Sequence, residues 1–352
     1  MASKKLFITG ATGYIGGSVL EAIVHKYPSL QISALLRSVS PEFKERYPTV
    51  QVVNGTFDDG DIIAHAAENA DIVIHTGDID HPGCAAAILT GLSKKTTPSY
   101  LIHLTGTGCI SDRLTNTWDG KSNPKIWSDI TDIDTINSLP DTALHHAIDR
   151  SIMDASNELL KTVCICPPDI YGQARGVGGR ESFLVPQFVD VVMKTKEPFY
   201  VGEGANWRAV THLDDVVALF MLVLECMMKG GGGLSFGKEK TPNSKISLTP
   251  NTNQSQGFYF AVADEIKWKD AAEALCKLGI EQGWLPPNTK TISYDEQRVS
   301  TVLQPAWLGL YLFGSNSRAD SARARQLGWR PRGPDFWTML PEDVRAAVAR
   351  RG

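Results

Sequence analysis

Short apolar runs recur through the first half of the chain, at Leu6–Thr9, Ile32–Leu36, Val50–Val53, Ile72–Thr76, Leu101–Thr105 and Val163–Cys166. Most are separated by stretches long enough for a helix. That alternation predicts βαβ units, in which parallel strands are buried by helices on both faces. Six such strands make an α/β doubly wound parallel sheet, whose ligand crevice lies beyond the carboxyl ends of the strands. After about Gly172 the pattern changes to segments punctuated by Pro, Gly and aromatic residues, and Lys238 to Gln256 is polar, as a surface excursion would be. Residues 1–175 are therefore expected to form the sheet domain, with 205–232 packing back onto it. A smaller C-terminal substrate lobe is expected from 176–204 and 233–352. The apolar run Val216–Met228 is too short to cross a bilayer and reads as a buried helix. Trp307, Tyr311 and Phe313 cluster where core or interface packing is expected ahead of substrate contact.

Composition narrows the classes. With 42% hydrophobic residues in 352, the chain can bury a large core. Its 35 basic and 39 acidic residues leave a formal charge of -4, so nothing draws it to nucleic acid or an anionic membrane. Six cysteines without a CxxC spacing read as buried thiols, with no metal site implied. The start, Met-Ala-Ser-Lys-Lys, runs straight into a strand and leaves no room for a cleavable apolar leader, so a cytoplasmic location is expected.

The most specific chemistry lies in Leu6-Phe-Ile-Thr-Gly10-Ala-Thr-Gly13-Tyr-Ile-Gly16-Gly17, followed by the helical pattern Val19–Val24. Gly10 permits a tight turn, Gly13 lets the backbone approach a pyrophosphate, and Gly16 lets the helix sit close to the sheet. The helix N-terminus then faces the anion. This is a Rossmann-type dinucleotide turn. NAD-binding folds place a carboxylate at the end of the second strand, against the ribose 2′-OH. Here that strand ends in Arg37-Ser38, which suits the 2′-phosphate of NADP(H) better than NAD(H). The other reading of Arg37 is a solvated surface residue. Asp58, in Asp58-Asp-Gly60, is both a candidate adenine contact and a good turn residue.

The GxxGxxG spacing resembles extended and atypical short-chain dehydrogenases/reductases, a superfamily that includes epimerase/dehydratase-like proteins. The resemblance continues in Asp71-Ile-Val-Ile-His75-Thr-Gly, Pro167-Pro-Asp-Ile-Tyr171-Gly172, Val210-Thr-His212-Leu-Asp214-Asp215-Val and Leu327-Gly-Trp-Arg-Pro331. It implies cofactor contacts at Gly10, Thr12, Gly13, Tyr14 and Ile15, at Arg37 and Ser38, at Asp58, at Thr76 and Gly77, and at Pro167 and Ile170. Asp78, Tyr171 and Trp307 are candidates for the substrate pocket. It also implies an oxidoreductase, and a homodimer through two long helices flanking the sheet. Ser128-Asp-Ile-Thr-Asp ahead of an HxxxD helix looks like a fungal-type branch linked to secondary metabolism.

The superfamily's Tyr-x-x-x-Lys pair is missing, since no tyrosine occurs between Tyr100 and Tyr171. In the helix that should carry it, if Arg150 takes the lysine position and binds the cofactor ribose, then His146 takes the tyrosine position one turn earlier. An imidazole can serve as general acid or base near neutral pH. His145 with Asp149 is the alternative register. The family's serine position falls on Gly106, flanked by Thr105 and Thr107, either of which could offer a hydroxyl to a substrate carbonyl or bond the local backbone.

The leading expectation is an NADP(H)-dependent oxidoreductase acting on a carbonyl or alcohol of a small, largely apolar metabolite. Loss of the tyrosine keeps open a redox-neutral isomerase, lyase or cyclase, and a non-enzymatic NADP(H)-sensing regulator.

Overall fold

The computed structural model describes residues 4–112, 119–179, 181–238 and 256–351. Among these, seven strands build the central sheet: β1 Lys5–Thr9, β2 Gln31–Leu36, β3 Gln51–Asn54, β4 Ile72–His75, β5 Ser99–Leu104, β6 Leu160–Cys166 and β7 Phe258–Phe260. All pair in parallel, in the order 3-2-1-4-5-6-7. The order reverses between β1 and β4, which is where a doubly wound sheet opens its crevice. β4 and β5 are buried along their whole length, which is why they read as unbroken apolar runs rather than alternating ones.

Helices cover both faces. α1 (Tyr14–Lys26) and α5 (Leu213–Met228) share one core, through Val19, Leu20 and Ile23 against Val216, Phe220 and Leu224. α2 (Gly60–Glu68), α3 (Pro82–Ser93) and α4 (His146–Asp154) share the other, through Ile63, Ala67, Ile88, Ile152 and Met153. Squeezed between sheet and solvent-side neighbours, α5 is apolar at most positions. Among the described residues no helix is long and apolar enough to cross a membrane.

β7 corrects the expected partition. It lies inside the segment assigned to the lobe, yet Phe258, Tyr259 and Phe260 pair with Cys164, Ile165 and Cys166 of β6. Ala324 and Trp329 likewise belong to the α1–α5 core. A three-residue aromatic strand beside a polar stretch offers no βαβ spacing to recognise it by. Of that polar stretch, residues 239–255 lie outside the described residues.

The lobe has its own core, centred on Phe188, Phe199, Trp268 and Phe313, with Phe199 stacked on Tyr294 at 4.4 Å. Tyr171 belongs to it. Its ring stands edge-on to His212 and Phe336, and its hydroxyl donates to Pro334 O at 2.9 Å. The residue thus packs the lobe.

Two of the motifs noted above hold each other. His212 caps α5, its Nδ1 accepting from Asp214 N, while buried Asp215 accepts from the backbone N–H of Arg332 and Gly333. Trp329 closes the tie with Nε1–H to Asp215 O at 2.8 Å. Asp215→Ala would strand two partly buried donors, so it is expected to cost about 2–3 kcal/mol. Denaturant unfolding checks this, and a midpoint equal to the wild type would show the tie to be idle.

Candidate active site

At the switch point, Gly10 has φ +75°, and a Cβ there would lie 2.3 Å from Thr76 O. A Cβ on Gly16 would meet Thr76 Oγ1 at 2.2 Å and Gly10 O at 2.3 Å. Both glycines are therefore filled by protein backbone and side chain. Gly13 differs. Its Cβ would meet only Gly10 O, at 3.1 Å, and otherwise face open space. α1 starts at this point with no side-chain cap and no acidic residue in its first turn. Its leading N–H groups are left for an anion. The turn thus fits a dinucleotide pyrophosphate, with a cradle that a side chain on Gly13 would fill.

Other expected cofactor residues spread around this crevice. Thr12 and Ile15 are half-buried in the turn and first helical turn. Tyr14 leans away, donating to Gly172 O at 2.6 Å, and burial holds its pKa well above the ordinary phenol value. Arg37 and Ser38 are exposed directly beyond β2. Asp58 accepts from His81 Nε2 at 3.1 Å, while His81 Nδ1 caps α3. Thr76 is buried with its hydroxyl donated to Thr9 O, and Gly77 lies against the Phe57 ring. Pro167 O accepts from Thr107 N, joining the post-β6 segment to the post-β5 turn, and Ile170 packs on the α1–α5 core.

The helix register departs from the leading expectation. α4 begins at His146, and His145 precedes it in the left-handed region, φ 70° and ψ -21°. That turn swings His145 out of the helical progression. His146 instead goes under the helix with Asp149, Ile152 and Met153 and is 3% exposed. Burial pushes its pKa below the ordinary imidazole value, with the charge of Asp149 opposing. Arg150 points to solvent and pairs with Asp141. His146 is thus held beneath the helix and Arg150 at the surface, neither of them turned toward the crevice.

His145 is the residue that enters the crevice. Its Nδ1 lies 2.8 Å from Asp80 Oδ1. Asp80 is presented by a turn in which its own N–H donates to Asp78 Oδ1, so Asp78 shapes the loop. The far nitrogen, Nε2, lies over the post-β5 turn, 3.3 Å from where a Cβ on Gly106 or on Gly108 would sit. With Asp80 engaged at Nδ1, Nε2 is the nitrogen left toward the post-β5 turn. A non-glycine residue at positive φ costs of order 1–3 kcal/mol and persists where its surroundings dictate it, commonly at active sites.

Beneath this lies a buried polar ladder. Thr9, His75 and His103 stand side by side at the ends of β1, β4 and β5. Thr9 Oγ1 and His75 Nδ1 are 2.6 Å apart, the two imidazoles stack at 5.1 Å, and His103 Nε2 lies 3.4 Å from Asp149 Oδ1. Burial, then the neighbouring His103, holds His75 well below the ordinary imidazole pKa. Thr105 Oγ1 donates to Asp149 Oδ2 at 2.7 Å. The Thr105 hydroxyl is thus spent on anchoring α4 and is not free for substrate. Thr107 opens the short turn Thr107–Ile110 and is 3% exposed.

From the lobe comes Tyr311, for which packing was expected ahead of substrate contact. The Tyr311 hydroxyl lies 2.9 Å, and Leu144 Cδ2 2.7 Å, from the position a Cβ on Gly108 would take. Trp307 stands edge-on to Tyr311, ring centroids 6.0 Å apart. Arg208, 1% exposed, reaches Asp169, Tyr311 O and the Ser315 hydroxyl at 2.7–2.8 Å, with its guanidinium 5.2 Å from the Tyr311 ring centre. A surface groove bounded by Lys5, Gln31, Gln51, Asp61 and His65 lies at the amino ends of the strands, far from this chemistry. Among the described residues no group of three or more His, Cys, Asp or Glu is arranged to hold a metal ion.

Residues 2–88 match the NmrA-like family. Over its whole length the chain is 28% identical to a protein named Oxidase ucsJ from Acremonium sp, covering 99% of each. Among solved structures it is similar to UDP-glucose 4-epimerase of Thermotoga maritima, with TM-score 0.61, 14% identity, and 99% and 100% of the two chains covered. It is also similar to dTDP-glucose 4,6-dehydratase of Bacillus anthracis in complex with NAD, with TM-score 0.63, 13% identity, and 99% and 97% covered.

Proposed function

We propose that this chain, whose fold is that of the extended short-chain dehydrogenase/reductase superfamily, is an NADP(H)-dependent oxidoreductase acting on a carbonyl or alcohol of a small, largely apolar metabolite. The observation that carries the reading is the Asp80–His145 pair, set at the carboxyl end of the sheet with Nε2 aimed over the post-β5 turn. The name of its full-length relative, an oxidase, and the NAD complex of a fold neighbour support the same class. The Gly10–Gly16 turn, Arg37 and Ser38 would hold the cofactor. When bound, a nicotinamide supplies or accepts the hydride.

The chain's own residues handle the proton. Asp80 holds the imbalance of charge when His145 becomes imidazolium, and the left-handed backbone fixes where Nε2 points. In the oxidative direction Nε2 accepts the proton of a substrate hydroxyl; in the reductive direction it returns one to the carbonyl oxygen. Leu144, beside His145, together with Tyr311 and Trp307 from the lobe, gives this end of the cleft an apolar surface, which favours a substrate with few charges.

The test is to incubate the protein with NADPH and a panel of apolar aldehydes and ketones, following cofactor absorbance and product together. Consumption matched to product is the expected result, whereas product without net consumption would replace this reading by a redox-neutral one. Cofactor choice is checked separately by calorimetry. NADPH is expected to bind about tenfold to a hundredfold more tightly than NADH through charge-assisted bonds from Arg37. Arg37→Ala should erase the difference, and an unchanged preference would take Arg37 out of the site.

A further inference from the structure

The position to which the resemblance assigns the superfamily's serine carries no hydroxyl here, because it is Gly106, and the neighbouring Thr105 is committed to Asp149. Glycine at 108 is explained by what lies above it. A Cβ there would lie 2.7 Å from Leu144 Cδ2, 2.9 Å from the Tyr311 hydroxyl and 3.3 Å from His145 Nε2, three groups from two different parts of the fold. Two of them are polar atoms, and both approach one point above the post-β5 turn.

We propose that Tyr311 is the second hydrogen-bond donor to the substrate oxygen, delivered from the lobe to replace the missing serine, with His145 Nε2 as its partner on the same atom. The assignment rests on the crevice being a catalytic site. Its chemistry is that of an oxyanion hole: one group moves the proton while a fixed donor stabilises the charge developing on oxygen. Placement supports the role. Trp307 stands edge-on to the phenol ring, and Arg208 lies 5.2 Å from its centre, so the hydroxyl is held by its own helix, Trp307–Phe313, and by a buried cation. Burial raises the phenol pKa to about 12, with Arg208 opposing. Tyr311 therefore keeps its proton at neutral pH and acts as a donor. Arg208 is itself fixed by Asp169 and Ser315, which makes it a positioning residue for the phenol.

Tyr311→Phe keeps the ring and its packing, so thermal unfolding should match the wild type. Two readouts are made on the full chain saturated with NADP⁺ or NADPH. The first is binding of p-nitrophenol, whose oxygen stands in for the substrate's and whose absorbance reports its ionisation. Wild-type protein should bind it, and Tyr311→Phe should bind it about tenfold or more weakly. The second is turnover on the best carbonyl of the panel, where loss of one such donor should lower kcat by about 10²–10³-fold with NADPH affinity unchanged. Failure of the wild type to bind p-nitrophenol, or equal binding by the variant, overturns the assignment whatever the redox result. Tyr311-dependent binding in a protein that consumes no NADPH with any carbonyl supports the oxygen site and removes the oxidoreductase reading instead.

Discussion

Replacing His145 by asparagine is expected to lower turnover by about 10²–10⁴-fold, the scale of losing a general acid or base, while NADPH binds as before. Asparagine is the right probe because it tolerates the left-handed backbone that His145 adopts, whereas alanine would add strain to the loss of the imidazole. Asp80→Asn should also slow turnover, since an amide no longer stabilises the imidazolium and can hold the wrong tautomer. The neighbouring residues should behave differently. His146 is buried beneath α4, so His146→Ala is expected to lower the unfolding midpoint and leave the per-molecule rate of the folded fraction near normal. Arg150, paired with Asp141 on the surface, should give a variant with unchanged cofactor affinity. Undiminished turnover in His145→Asn, or a dead but stable His146→Ala, would return the acid/base role to the helix register first expected from sequence.

That register is also where the sequence was hardest to read. The strands were legible because burial on both faces makes runs of apolar letters of most of them, edge strand β3 being legible only through Val52 and Val53, and all six expected runs overlap strands β1–β6. The glycine turn was legible because its three glycines fall between a strand and a helix. Helix α4 hid its phase. Two adjacent histidines satisfy an i,i+4 pairing equally well, and the choice between them is made by one positive φ that no pattern of residue types announces. Asp80 was hidden for another reason, being 65 residues away in the chain and next to an ordinary-looking turn. Tyr311 was expected to pack in the core or an interface ahead of touching substrate; it does pack against the lobe core beside Phe313, and its hydroxyl also reaches toward the post-β5 turn. One signal was available: glycines at 106 and 108 leave room beside the backbone, and the side chains that approach there are His145 at both positions and Leu144 and Tyr311 at Gly108.

The glycines of the first turn give the second large effect, and they separate binding from folding. Gly13→Val is expected to abolish NADPH binding and leave the protein folded. Its φ of -80° suits any residue, and the only close neighbour of a new Cβ is Gly10 O at 3.1 Å, so the branched side chain projects into the crevice. Gly16→Val puts its Cβ within 2.2 Å of Thr76 Oγ1 and 2.3 Å of Gly10 O, two atoms fixed by the β1–β4 junction. α1 would have to move off the sheet, at a cost of about 3 kcal/mol or more for overpacking a rigid site. Calorimetric titration with NADPH and urea unfolding, run on both variants, distinguish the two. Retained binding by folded Gly13→Val would mean that the pyrophosphate lies elsewhere. A Gly16→Val protein as stable as the wild type would mean that α1 does not depend on this contact with the end of β4, and the close helix–sheet approach on which the dinucleotide cradle is built would lose its physical basis.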